Sequence, residues 1–199
     1  MSVEIKQPEL SFKLLKTGDR AEFARLVDVY SGPIYRMALK MLNDTQDAED
    51  VLQNTFLNAY RNLQDFEGRS SLSTWLYRIA VNEALMLIRR RNPNQVSVDE
   101  DIQTEDGELE PRQIVDWCCL PEREFLTAET RRKLDDAIQS LSPALRTVFL
   151  LRDVEGLSIK ETADVLNLNE NVVKTRLLRA RLNLRERLTD YFTDRIAEK

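Results

Sequence analysis

The sequence predicts an all-α protein made of two small helical domains. Glycine and proline are scarce, with five and six among 199 residues, and apolar residues recur at helical spacing along most of the chain. No stretch alternates apolar and polar residues as a half-buried strand would, and no repeat of fixed period is present. We expect a first domain over residues 1–94, an acidic flexible linker over 95–121 and a second domain over 122–199.

The first domain is expected to begin with three helices. The first covers about Ser11–Lys16. The second runs over about Asp19–Leu42, where Ser31-Gly32-Pro33 predicts a kink or a break because proline lacks the amide that a helix interior needs. Asp44 can cap the third helix, which continues to about Asn62, since a short acidic side chain accepts hydrogen bonds from the first free amides.

A loop and a fourth helix complete this domain. The loop covers Leu63–Ser73, and the helix extends over Thr74–Arg91 until Asn92-Pro93 stops it. The composition then changes, because residues 96–124 carry ten acidic side chains against two basic ones. We interpret this linker as a solvated spacer or as an acidic strip that follows a basic channel or imitates nucleic acid.

The second domain is expected to open with two helices. One covers about Glu122–Ser140. Ser142-Pro143 then supplies a cap followed by proline at the first helical position, where the missing amide costs nothing. The helix that begins there reaches about Asp153, and Gly156 ends it.

The next segment has the size and pattern of a helix-turn-helix. Ser158 and Glu161 form a capping box, in which each side chain accepts a hydrogen bond from the other residue's backbone amide. A short helix over Ser158–Leu166 follows. Asn167-Leu168-Asn169 forms the turn, and the second helix begins at Glu170.

This second helix has an apolar face and a basic face. The residues at helical spacing that should be buried are Val173, Leu177, Ala180, Leu184 and Leu188. The residues expected mostly on the other side are Asn171, Lys174, Thr175, Leu178 and Arg179. Six cations lie along it, namely Lys174, Arg176, Arg179, Arg181, Arg185 and Arg187. The pattern favours a recognition helix in a major groove over a merely solvated basic surface.

The segment between the third and fourth helices carries side chains suited to holding separated bases. Aromatic faces stack on bases, small hydroxyls bond to base edges and arginines neutralise phosphates. The candidate residues are Phe66, Gly68, Ser70, Ser71, Thr74, Trp75, Tyr77, Arg78, Asn82 and Arg89. Both Trp75 and Tyr77 could instead be core residues, whereas a position facing a ligand is favoured for Phe66 in its loop.

Composition argues against several other classes of protein. The net charge is −5, so non-specific nucleic-acid binding by the whole chain is disfavoured. Histidine is absent, and the two cysteines, Cys118 and Cys119, are adjacent, so we expect no catalytic residue, no metal site and no cofactor. No apolar run is long enough for a membrane helix and no secretory signal is visible, which indicates a cytoplasmic protein.

Taken together, the two segments resemble the sigma-70 family of RNA polymerase factors, of the small extracytoplasmic-function (ECF) type. The resemblance is carried by Asp47–Tyr60 (DAEDVLQNTFLNAY), by Phe66-Glu67-Gly68 with Ser73–Asn82 (STWLYRIAVN), and by Leu150–Arg181, which includes GLSIKETADVL and VKTRLLRAR. It implies two helical domains, called regions 2 and 4. Its expected partners are core RNA polymerase, promoter DNA and an anti-sigma factor, with no membrane insertion.

The resemblance also implies roles for individual residues. Those expected to bind core polymerase are Asp47, Asp50, Gln53, Asn54 and Phe56. Phe66 and the loop after it, together with Asn82, are expected to read the single-stranded −10 element. Those expected to bind the duplex −35 element are Ser158, Asn171, Lys174, Thr175, Arg176, Arg179 and Arg181. No catalytic residue of the family exists to be matched.

Two other functions would leave parts of the chain unexplained. A helix-turn-helix repressor or activator that acts without polymerase accounts for Ser158–Arg187 but not for the Asp47–Tyr77 pattern. An enzyme is a distant third, because the sequence has no phosphate-binding loop, no cluster of metal ligands and no nucleophile–base pair.

Overall fold

The computed structural model describes residues 10–91 and 128–197, and all regular structure in these ranges is helical. The helices are α1 (Phe12–Lys16), α2 (Arg20–Leu42), α3 (Thr45–Asn62), α4 (Leu72–Arg91), α5 (Ala128–Ser140), α6 (Pro143–Phe149), α7 (Ile159–Leu166) and α8 (Glu170–Ala197). The all-α prediction is confirmed. The expected acidic linker, the domain boundaries and the cysteine pair lie outside the described residues. No described helix combines the length and apolarity needed to cross a membrane.

Side-chain caps start the first three helices where the sequence predicted them. The side chains of Ser11, Asp19 and Asp44 accept hydrogen bonds from the amides of Leu14, Glu22 and Asp47, in that order. Each bond satisfies an amide that has no partner within its own helix. The capping prediction at Asp44 is therefore confirmed.

Of the kink or break predicted at Ser31-Gly32-Pro33, the break is wrong, because α2 continues through Pro33. A proline inside a helix costs about 3 kcal/mol through its missing hydrogen bond and its clash with the preceding turn. Tyr30, Ile34, Met37 and Met41 lie on the same face of α2 and are buried. Packing of this face against α3 and α4 keeps the helix continuous.

Helix α4 begins at Leu72, two residues before the predicted start. The Ser71 hydroxyl accepts a hydrogen bond from the amide of Thr74 at 3.1 Å, so Ser71 acts as the cap. The loop is correspondingly shorter than the predicted Leu63–Ser73. Ser71 has the residue type of a cap, but Ser70 and Ser73 beside it are equally suitable.

The second domain follows the predicted turn signals closely. The Ser142 hydroxyl caps α6 with Pro143 in its first turn. Helix α6 then passes into a single π-helical turn over Leu150–Val154, and Gly156 ends it with a positive φ of 77°. The predicted end near Asp153 holds, while the change to π-helical hydrogen bonding has no evident signal in the sequence.

The helix-turn-helix is confirmed in detail. The Ser158 hydroxyl accepts from the Glu161 amide at 3.1 Å, and the Glu161 carboxylate accepts from the Ser158 amide at 2.8 Å. These contacts, with the Ser158 backbone amide first, lower the pKa of the Glu161 carboxyl. Asn167 adopts the left-handed conformation at the end of α7, and the Asn169 side chain accepts from the Asn171 amide at 2.8 Å. The five apolar residues of α8 expected in the core are all buried.

Both domains share one apolar core. Met37, Met41 and Leu76 belong to the same buried cluster as Ile138 and Leu151, and α4 packs along α7. Polar contacts close the junction. The Arg146 guanidinium donates to the carbonyl of Met41 at 2.7 Å and to that of Leu141 at 3.0 Å, and it also donates to the carbonyl of Gln139. One side chain thus satisfies free carbonyls at the ends of α2 and α5.

The capping box makes a prediction for stability. Ser158→Ala should lower the free energy of unfolding by about 1 kcal/mol, because it leaves the Glu161 amide without its acceptor. Urea unfolding followed by circular dichroism measures the change. Lys160→Ala on the same helix is the matched control and should stay within about 0.5 kcal/mol of the parent, since its side chain is exposed. Equal losses in both variants would contradict a specific role for the cap.

Candidate nucleic-acid interface

The loop between α3 and α4, residues 63–71, carries Phe66 and is called the aromatic loop below. It packs against helix α1. The Phe66 ring contacts the Phe12 ring at a centroid distance of 5.2 Å and the Trp75 ring at 4.9 Å. Phe66 is only 8% exposed, so in this arrangement it packs as a core residue, and its contact with a base stays a prediction. Phe12 was not among the predicted residues. The sequence feature that could have identified Phe12 is an aromatic residue directly after the capping Ser11, in a helix too short to bury both of its faces.

The small polar residues of the loop serve mainly to shape it. The Ser71 hydroxyl lies 2.8 Å from that of Ser73 and 2.7 Å from that of Thr74. Thr74 is buried, while Ser70 is half-buried and Gly68 is exposed. Gly68 has a φ of 74°, a conformation that side chains rarely adopt, so a glycine is needed at this turn. Ser71 and Thr74 are therefore engaged within the protein.

One side of α4 remains open to solvent. Asn82 and Arg89 are exposed, and Arg78 is half-buried. Their spacing of four and seven residues places them along one stripe of the helix. An amide and two guanidinium groups on one stripe can bond to base edges and to phosphates.

Tyr77 lies instead at the junction between the domains. It is buried, and its hydroxyl donates a hydrogen bond to the Glu155 carboxylate at 2.6 Å. Burial raises the pKa of Tyr77 well above its usual range, and the bond to Glu155 adds to the shift. The aromatic position predicted to contact DNA is thus engaged by the second domain.

Helix α3 presents one polar face to solvent. Asp50, Gln53 and Asn54 are exposed and share this face by their spacing of three and four residues. Leu57 continues the same face seven residues after Asp50 and is 52% exposed. Leu57 was not predicted, although this spacing could have identified it. Phe56 points elsewhere, since it is buried and packs edge-on against Phe23.

The remaining polymerase-binding candidate, Asp47, is half-buried and forms an ion pair with Arg91. Arg91 also lies 3.6 Å from the Asp44 carboxylate. The pKa of Asp44 is lowered, chiefly by the hydrogen bond from the Asp47 amide and further by Arg91. Arg91 therefore ties the end of α4 to the start of α3.

The start of α8 presents polar and basic groups to solvent. Asn171, Lys174 and Arg179 are exposed. Thr175 is half-buried, and its hydroxyl donates to the Asn171 carbonyl at 2.9 Å. Ser158 is occupied by the capping box. The side chains on this face that remain available to a DNA groove are therefore those of Asn171, Lys174 and Arg179.

Two other predicted arginines of α8 are engaged within the protein. Arg176 is only 7% exposed. Arg181 forms a two-pronged ion pair with Asp153 at 2.8 and 2.7 Å, and this hydrogen bonding raises the pKa of Arg181. The pair joins α8 to the π-helical turn. In this arrangement neither guanidinium is presented as a free contact for a phosphate.

Among the residues that the structure describes, no cluster of three or more potential metal ligands occurs.

Comparison with known proteins identifies both domains. Residues 26–93 match the family model for sigma-70 region 2, and residues 131–184 match that for sigma-70 region 4. The chain is 36% identical over 178 residues to the ECF RNA polymerase sigma factor SigW of Bacillus subtilis, covering 89% of this chain and 95% of that protein. It is 36% identical over 179 residues to the RNA polymerase sigma-H factor of Pseudomonas aeruginosa, covering 88% and 91%.

Solved structures share the fold. CnrH, solved in complex with the cytosolic domain of CnrY, superposes with a TM-score of 0.65 at 23% identity, covering 90% of this chain and 95% of that one. The sigma factor RpoE of Bartonella quintana, solved with the anti-sigma factor NepR, gives 0.61 at 23% identity, covering 84% and 97%. The matches to both region models and the extensive identity to curated relatives confirm the resemblance: this chain belongs to the sigma-70 family, as a sigma factor of the ECF type.

Proposed function

We propose that this sigma factor binds core RNA polymerase through α3, reads the −10 element with α4 and reads the −35 element with α8. The observation that carries the proposal is the presence of three separate exposed polar faces on a chain of this family, one on each of these helices. The chain acts in the cytoplasm and catalyses no reaction itself. A transcription run-off assay with core polymerase and a random promoter library tests the proposal, because promoter-selective transcripts must depend on this chain.

The α3 face suits docking on a protein. Asp50, Gln53 and Asn54 provide polar contacts around the exposed Leu57. An apolar side chain surrounded by polar groups is the usual composition of a protein interface. A helix-turn-helix regulator acting without polymerase would have no use for this face. Failure of the chain to bind core polymerase in a pull-down would favour that rival.

The α4 stripe suits a melted strand. Asn82 can bond to the edge of an unpaired base, while Arg78 and Arg89 on the same stripe can neutralise phosphates of that strand. Extracting a base from the duplex costs a few kcal/mol, which stacking and edge contacts must offset. Because the chain carries a net charge of −5, we expect weak DNA binding without polymerase.

The α8 face suits a duplex. Arg179 can bond to a guanine through two parallel hydrogen bonds, whereas Lys174 is suited to a phosphate. Asn171 lies in the first turn of the helix, where recognition helices contact base edges.

Binding to both elements requires the two domains to separate. The −10 and −35 elements lie about 25 base pairs apart, or roughly 85 Å along the duplex. Here α4 packs on α7 and α7 packs on α8, which places the reading helices within roughly 20 Å of each other. The 36 residues between Arg91 and Ala128 could span at most about 120 Å, which is enough for an opened chain. The closed arrangement is therefore the form not engaged on a promoter.

An anti-sigma factor would act by holding the domains in an inactive arrangement. Two proteins of the same fold were solved with partners bound: CnrH with the cytosolic domain of CnrY, and RpoE of Bartonella quintana with the anti-sigma factor NepR. Co-purification from native cells tests this part of the proposal, and recovery of polymerase alone would contradict it.

Asn82→Ala should change −10 selection while leaving polymerase affinity unchanged, because the side chain is exposed on α4. Run-off transcription from a library with a randomised −10 element measures selection, and a pull-down measures polymerase affinity. Asn183→Ala, an exposed asparagine on α8, is the matched control and should alter neither. Loss of polymerase binding by Asn82→Ala would show a structural role instead.

Arg179→Ala should reduce discrimination at the −35 element by about 1–3 kcal/mol, the range for removing a two-pronged hydrogen bond to a base. Competition between intact and mutated −35 sequences in transcription measures it. Arg187→Ala, exposed further along α8, should weaken both sequences alike if it has any effect. If Arg179→Ala also reduced both equally, Arg179 would be a phosphate contact.

Tyr77→Phe should favour the open chain, since it removes the hydrogen bond to Glu155 and leaves the ring in place. A hydrogen bond to a charged group contributes about 1.5–3 kcal/mol, enough to raise the ratio of open to closed chains by about tenfold or more. Small-angle X-ray scattering should show a larger radius of gyration. Tyr60→Phe is the control, because that ring is half exposed on α3. An unchanged scattering curve for Tyr77→Phe would contradict the role of this contact in closure.

A further inference from the structure

Helix α1 adds a third ring to the aromatic loop. The rings of Phe12, Phe66 and Trp75 contact one another in series from α1 through the loop to α4. Phe66 is buried within this series, whereas Phe12 at its outer end is 36% exposed. The ring available to a ligand at this end of the loop is therefore contributed by α1, which precedes the segment matched to region 2.

Two lysines of α1 lie close to this ring in sequence. The Lys16 ammonium lies 5.2 Å from the centroid of the Phe12 ring, and Lys13 is exposed on the same short helix. The sequence of α1, FKLLK, contains no acidic residue. In a chain with a net charge of −5, this helix is a local exception.

Helix α1 is held firmly enough to present these groups. The Ser11 amide donates to the Glu22 carboxylate at 2.5 Å, and Glu22 is itself buried and paired with Arg25 at 2.8 Å. Leu15 is buried in the core. The position of the Phe12 ring is thus fixed by contacts on both sides of it along the chain.

We propose that α1 is a further binding element for single-stranded DNA, continuous with the −10 surface on α4. An unpaired base stacks on the exposed part of the Phe12 ring, and Lys13 and Lys16 neutralise the adjoining phosphates. An aromatic ring flanked by cations is the combination by which proteins hold single strands, and it tolerates any base because every base has an aromatic face. The proposal rests on the proposed function and extends its −10 surface by one helix.

The test measures binding of a labelled random-sequence 20-nucleotide single strand to the holoenzyme, by fluorescence anisotropy. Core polymerase alone provides the baseline. Phe12→Leu keeps an apolar contact with Phe66 but lacks an aromatic face, so affinity should fall about tenfold. Phe12→Tyr keeps the aromatic face and should bind like the parent. A thermal unfolding curve for each variant shows whether α1 packing is retained.

The lysines are tested through salt dependence. The double variant with Lys13→Ala and Lys16→Ala should have a less steep slope of log affinity against log salt. The magnitude of the slope should fall by about 0.7 for each phosphate that is no longer neutralised. Lys133→Ala, an exposed lysine on α5, is the control and should leave the slope unchanged. An unchanged slope in the double variant would overturn the assignment of these lysines.

Asn82→Ala separates this proposal from the function on which it rests. If Asn82→Ala lowers single-strand affinity and Phe12→Leu does not, α1 is no DNA contact while the α4 assignment stands. If Phe12→Leu lowers affinity and Phe12→Tyr does not, α1 is a DNA contact, independently of the effect of Asn82→Ala. If neither Phe12→Leu nor Asn82→Ala changes affinity, both assignments are wrong.

Discussion

The junction between the domains depends on one guanidinium group. Arg146 donates to carbonyls at the ends of two helices, one from each domain, where the helix dipoles favour a positive charge. Burial lowers the pKa of Arg146, but three accepting carbonyls compensate for the lost hydration. The forked donors of arginine fit several carbonyls at fixed angles, which the single ammonium of a lysine cannot do as well. Around this contact, Gln139 donates to the Lys40 carbonyl, and the apolar cores of both domains merge.

In the closed chain the candidate DNA contacts fall into two groups. Asn82, Lys174 and Arg179 remain exposed to solvent. Tyr77 is engaged across the junction by Glu155, and Arg181 is engaged by Asp153 within its own domain. A closed chain thus keeps part of its DNA-reading surface available but holds the two reading helices too close together for one promoter. In the proposed function, promoter binding requires the domains to separate and requires neither of them to refold.

The aromatic loop illustrates how a structural and a binding role can share one set of side chains. Phe66 and Trp75 pack against each other, and Phe12 covers them from α1. Burial of the inner rings stabilises the loop, while the exposed part of the Phe12 ring is the part proposed to stack on a base. The hydroxyls of Ser71 and Thr74 shape the start of α4 in the same way, so that Asn82 is held on a rigid helix.

Local rules of hydrogen bonding and residue spacing were sufficient to predict much of this structure from the sequence. The all-α class, the caps at Asp44 and Ser142, the capping box at Ser158 and the buried face of α8 follow from hydrogen bonds and spacings within a few residues. The motif pattern also identified the family. Tertiary packing decided the rest. Continuity of α2 through Pro33 depends on a buried face, and the engagement of Phe66, Tyr77 and Arg181 depends on partners 28 to 78 residues away or on a separate helix. A sequence pattern specifies which side chains can bind DNA. Only the tertiary structure determines which of these side chains already contact other residues of the protein, because those residues are distant in sequence and become adjacent only after folding.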